Sequence, residues 1–171
     1  MNFGLRNFAM CLAVAAIPAA AAAQLSTAPG YKAFDQQQQA KLRGWVGTWR
    51  CVDNPPSKKP DIETTKQDGN FFVTRESGDN PNTEYTRWSY SYKMFYTVEL
   101  DDQGGTTVSS TKSLDPLNAS WVTVFPSRYP NGRAFLPYAV STNATTITSK
   151  GQYYDDKGNL KTSSSVCTKT S

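Results

Sequence analysis

The residues able to do chemistry in this chain are few, and most lie in stretches with strand-like alternation. Arg75, Glu76, Glu84 and Arg87 sit among Trp88, Tyr90, Tyr92 and Tyr96, with Trp121 further on. A carboxylate turned into a folded interior needs a cation or hydrogen-bond donors. Glu84 with Arg75 as its partner would orient a ligand or act as an acid or base. If Glu84 shares a face with Trp88 and Tyr90 it points inward; on the other parity it is a solvated charge. The aromatics read first as core packing, and alternatively as cavity walls that supply hydroxyl and indole donors. The candidate ligand-binding set is Trp49, Arg75, Glu84, Trp88, Tyr90, Tyr96 and Trp121.

Other chemistry is excluded or unsupported. The chain contains no histidine, which removes His-dependent triads, the usual zinc sites and a proximal-His haem. Asp101-Asp102 and Asp155-Asp156 each precede a glycine within a turn, where Asp and Gly are favoured for local reasons. Neither forms a complete calcium loop, so no metal and no cofactor are expected. Asn118-Ala-Ser120 and Asn143-Ala-Thr145 match glycosylation sequons, but the alanine-rich start looks bacterial and no glycan is expected. An enzyme using Tyr, Arg and carboxylates has no motif behind it, and a non-catalytic role is the preferred reading.

The start of the chain sets the compartment. Residues 1–23 carry Arg6, an apolar run from Phe8 broken by Pro18, and the small residues Ala21-Ala22-Ala23. This reads as a secretory signal peptide. Met10 before Cys11 is unsuited to a lipoprotein anchor. No apolar run is long enough to span a bilayer as a helix. The expected organisation is a signal at 1–23, a flexible leader at 24–33 and one domain over 34–171, exported to the periplasm or beyond. Of the 18 Lys and Arg, all but Arg6 remain in that mature chain against 14 Asp and Glu, and they are scattered. A nucleic-acid footprint would need clustering. Cys51 and Cys167 remain, and in an oxidising compartment such a pair reads as one disulfide.

The elements that must position these residues are strands. Phe34 to Leu42 is the one good helix candidate of the mature chain, with Asp35 to cap it and Gly44 to end it. After it the period is two. Strands are expected over 45–52, 61–66, 70–76, 84–92, 94–100, 106–112, 119–125, 134–140, 145–154 and 160–168, the eighth weakened by Pro137. In the fifth, Met94, Tyr96, Val98 and Leu100 share a face. Turn signals between neighbours imply sequential antiparallel pairing. Such a sheet, with no second layer, buries its apolar face and loses its edges by curling up. The expected fold is all-β: an up-and-down antiparallel barrel of about eight to ten strands with one short N-terminal helix. An open two-sheet sandwich is the alternative. An even strand number brings the first and last strands together, so a Cys51–Cys167 bond would staple the closing seam. Gly47 would let the first strand bend beside Trp49.

Gly47-Thr48-Trp49, straight after a helix, resembles the G-x-W signature that opens the first strand of lipocalins and related calycins. The stretch YSYKMFYTVELDDQGGTTVSSTKS also resembles secreted bacterial lipocalin-like domains of unknown function. The resemblance covers most of 42–169 in pattern, with Gly47 and Trp49 as its motif. It implies a barrel whose Trp49 closes the base under a cation. Lipocalins place an arginine there, whereas this chain offers Lys161 and Lys169. The haem-binding relatives need a histidine that is absent here.

Two functions follow as expectations. The first is a secreted or periplasmic barrel that binds a small apolar or amphipathic molecule in its interior. The second is an interaction module with a protein target, such as a protease or lysozyme inhibitor. There, the leader Gln24 to Lys32 would enter the target's cleft, as in the calycin-like metalloprotease inhibitors.

Overall fold

The computed structural model describes residues 29–125, 135–154, 157 and 159–171. The signal at 1–23 and the first part of the leader lie outside them. Ten strands follow one helical segment: β1 Gly47–Asn54, β2 Asp61–Asp68, β3 Phe71–Ser77, β4 Asn82–Ser89, β5 Met94–Asp101, β6 Thr106–Thr111, β7 Asn118–Phe125, β8 Phe135–Thr142, β9 Thr146–Tyr154 and β10 Leu160–Lys169. Each pairs antiparallel with its neighbours in sequence, and β1 pairs with β10 to close the barrel.

The closing seam is stapled as its position in the chain demands. Cys51 and Cys167 are direct partners in the β1–β10 register, and their sulfurs are bonded. The bond closes a loop with a sequence separation of 116. Chain-entropy arguments assign such a loop about 4–5 kcal/mol, an upper figure for real cross-links.

Turn chemistry fixes the meander. Asp68 pairs with Phe71 across a two-residue turn whose Gly69 adopts φ +55°. The β5–β6 turn is organised by Asp101, whose carboxylate accepts the Gln103 and Gly105 N–H groups at 3.0 and 2.6 Å. This carboxylate is thus occupied with local turn bonds. Pro137 sits where the β8–β9 register shifts between Phe135 and Tyr138, an irregularity that suits a residue without an N–H.

The helix α1 spans Pro29–Ala40 and runs into a 3-10 turn over Lys41–Trp45. It begins five residues before the expected start at Phe34. Proline suits a first helical position, where its missing N–H has no partner to lose. Asp35 therefore lies within the helix and is not its cap. Gln39 clamps α1 to the sheet, donating from Nε2 to the Asn70 carbonyl at 2.8 Å and accepting the Trp88 N–H at 2.9 Å. The helix thereby covers the barrel end that carries the β2–β3 and β4–β5 turns.

Beneath it lies the main core, Leu42, Phe72, Trp88, Phe95 and Trp121, all with at most 2% exposure. Trp88 meets Phe95 edge-on at 4.9 Å, and Trp121 stacks on Tyr138 at 6.5 Å. Burying side chains of this size contributes about 1.5–3 kcal/mol each. A second cluster joins Trp49, the disulfide and Ile147.

Candidate functional site

Along the inner face of the strands the side chains change character in layers. Nearest α1 is the aromatic floor just described. Above it runs a belt of hydroxyls bonded across strands: Thr65 to Thr74 at 2.8 Å, Thr86 to Thr97 at 3.0 Å, and Ser109 to Thr123 at 3.3 Å. Above the belt, on four adjacent strands, stand Glu63, Glu76, Glu84 and Glu99. The register makes Glu63 the direct partner of Glu76 and Glu84 the direct partner of Glu99. Like charges directly opposite one another on a sheet repel. Two such pairs therefore share one wall.

These residues face a cavity of about 540 Å³ lined from all ten strands. Its lining includes six carboxylates, Asp53, Glu63, Glu76, Glu84, Glu99 and Asp101, and no Lys or Arg among the described residues. The opposite wall carries Tyr138, Val140 and Ile147, with Trp45 towards the floor. The lumen thus has an acidic side and an uncharged side on which Tyr138, Val140 and Ile147 stand with Ser149, Gln152 and Ser163, inside a chain of net charge +4.

Burial sets the protonation of the acidic side. It pushes the Glu84 carboxyl up to about 8, with Glu99, Glu63 and Glu76 adding repulsion and a hydrogen bond from Thr97 opposing it. Glu76 is likewise pushed up to about 8 by burial and by Glu63, against the 2.8 Å hydrogen bond it accepts from Asn82 Nδ2. Burial raises Glu63 to about 7, helped by Asp53 and Asp61. Glu99 is raised by burial and by Asp101. Towards the open end, burial and a hydrogen bond with Asp53 lift Asp61 to about 6. Tyr138 is driven well above its ordinary value by burial and by the facing glutamates. Cys51 and Cys167 lie near Glu63, but as disulfide sulfurs they cannot serve as thiolate ligands for a metal.

The residues singled out from sequence fall in three groups. Glu84 points into the lumen, on the same face as Thr86 and Trp88. Trp49, Trp88 and Trp121 are fully buried packing at the floor and seam rather than cavity wall. The remaining three lie elsewhere. Arg75 is exposed on the outer face between inward-facing Thr74 and Glu76, so it cannot pair with Glu84 in the barrel. Tyr96 points outward beside Arg87 in the β4–β5 register, opposite to inward-facing Phe95 and Thr97. Tyr90 lies past the end of β4, in the turn to β5.

Glu63, Glu99 and Tyr138 also line the lumen without having been singled out from the sequence, and Glu76 joins them, named there as able to do chemistry but not placed in the binding set. A signal was present. Glu63-x-Thr65, Thr74-x-Glu76, Glu84-x-Thr86 and Thr97-x-Glu99 form a mirrored E-x-T/T-x-E pattern on four consecutive antiparallel strands. Period-two alternation puts all eight on one face.

At the base, Lys169 Nζ sits 5.2 Å from the centre of the Trp49 ring, the place where the lipocalin resemblance calls for an arginine. The Trp49 indole donates to the Trp45 carbonyl at 2.8 Å. Of the leader proposed to enter a target's cleft, Pro29 to Lys32 belong to α1.

No protein-family model and no curated protein matches this chain. Among solved structures, a protein of unknown function of the DUF3598 family from Nostoc punctiforme PCC 73102 is similar, with a TM-score of 0.39 and 13% sequence identity. The match covers 75% of this chain and 48% of that one, so this chain spans about half that protein's length. No helix among the described residues is long and apolar enough to cross a membrane as a helix.

Proposed function

We propose that this is an exported, lipocalin-like binding protein that takes a small, partly apolar ligand in its barrel. The observation that carries the reading is the lumen itself. A cavity of about 540 Å³ lies in the size range of small-molecule pockets, about 300–1,000 Å³. It combines an apolar wall, Tyr138, Val140 and Ile147, with polar groups able to fix an orientation. Export is supported by the disulfide, which suits an oxidising compartment. The Lys169–Trp49 contact supports the lipocalin-like base.

Trp45 lines the cavity and reports on its contents. Titrating the protein with small amphipathic molecules of differing charge, while following tryptophan fluorescence, is expected to give a saturable change for at least one class. Absence of any response across neutral, anionic and cationic members would overturn the reading.

A further inference from the structure

We propose that the occupant of this lumen is an organic amine: a primary ammonium held by the paired glutamates, with an alkyl or aromatic body against the facing apolar wall. The inference rests on the lumen being a binding site and names the chemistry of what enters it.

Two independent observations carry it. The first is the pairing. Glu63–Glu76 and Glu84–Glu99 are two direct cross-strand carboxyl pairs on one wall, with no described Lys or Arg lining the cavity to compensate them. An apolar ligand would leave both pairs uncompensated, and an anion would add to the repulsion. The second is an unmet carboxylate. Glu76 has the Asn82 amide and Glu84 has the Thr97 hydroxyl, but Glu63 has no donor among the described residues. Its Oε1 lies 3.7 Å from the Cys167 sulfur, which as half of a disulfide has no proton to give. Glu63 lines the cavity. A lumen carboxylate without a donor invites one from a ligand, and an ammonium brings three.

The shape of the lumen selects an organic cation over a bare metal ion. The cavity is far larger than an ion requires, and its second wall carries Tyr138, Val140 and Ile147 among the uncharged Ser149, Gln152 and Ser163. Those residues can pack a carbon chain but cannot ligate a metal through Val or Ile. Two carboxyl pairs side by side further favour a diamine over a monoamine. The raised affinity of these carboxyls for protons gives the site a signature. An arriving ammonium replaces the shared protons, so binding near neutral pH releases protons to the buffer.

Isothermal calorimetry on the exported protein with hexylamine, 1,6-diaminohexane, hexanol and hexanoate holds the carbon body constant and varies only the charge. The diamine should bind most tightly, hexylamine more weakly, and hexanol and hexanoate at least about tenfold more weakly than the amine. Repeating the diamine titration in two buffers of different ionisation heat should reveal proton release. E63Q and E84Q preserve side-chain size and remove repulsion, so both should fold, and each should weaken the diamine by about tenfold or more. Hexanol or hexanoate binding as tightly as the amines overturns the amine assignment and leaves the lumen reading standing. Calcium binding with no amine binding also overturns it. Silence toward all of these and toward the fluorescence panel overturns both.

Discussion

At the residue scale, Gly47 shows how tightly the base of the barrel is built. Its φ of +137° is one that other residues rarely adopt. A Cβ there would come within 2.6 Å of the Ser171 carbonyl oxygen and 2.7 Å of Lys169 Cε. That lysine covers Trp49, while Thr48 exchanges backbone hydrogen bonds with Thr170 and Ser171. Gly47→Ala is therefore expected to destabilise the protein by more than about 1 kcal/mol, through strain and displacement of the chain end. Urea denaturation reads this directly, and a variant as stable as the parent would refute the described base. Gly47 and Trp49 were legible because a short motif followed a helix. The glutamates were harder to find. On β5 the more apolar face, with Tyr96, Val98 and Leu100, points outward, and the face with Phe95, Thr97 and Glu99 points in. An interior that is half polar defeats the rule that the greasier face is buried, and this is why Tyr96 was favoured over Glu99; Arg75 was chosen because an inward Glu84 called for a cation.

At the element scale, the barrel depends on a meander whose ends must meet. All ten strands were legible, because Gly, Pro and Asp clusters separate short alternating runs. The even count also foretold that Cys51 and Cys167 would become neighbours. The early start of α1 was not legible. Pro29 and Gly30 read as part of a flexible leader, yet proline at the first turn favours a helix, and the segment is fixed by Gln39 reaching Asn70 and Trp88, contacts that depend on tertiary structure. Replacing both cysteines, C51S/C167S, is expected to cost about 2–5 kcal/mol in denaturant unfolding while the strand content by circular dichroism persists. Unchanged stability would mean that the seam is not what the disulfide restrains.

At the scale of the whole molecule, the barrel keeps a mutually repelling acidic wall inside a basic exterior. Linkage makes this a statement about pH. Glu76 and Glu84 have folded-state values near 8 against an ordinary 4.5, so the folded barrel binds protons that the unfolded chain has already lost in that window. Their contribution is fully present below about pH 4.5 and is lost as pH rises through about 8; with Glu63 near 7 included, it is on the order of several kcal/mol. The central claim is that these carboxyls lie together in the lumen, and the most direct test is the thermal midpoint of the ligand-free protein from pH 5 to pH 9, compared with E63Q/E76Q/E84Q/E99Q. The midpoint of the native chain should fall across that range while that of the variant stays nearly level, so that the variant is the more stable protein at pH 9. Parallel curves for the two proteins would place the glutamates in solvent and contradict the account.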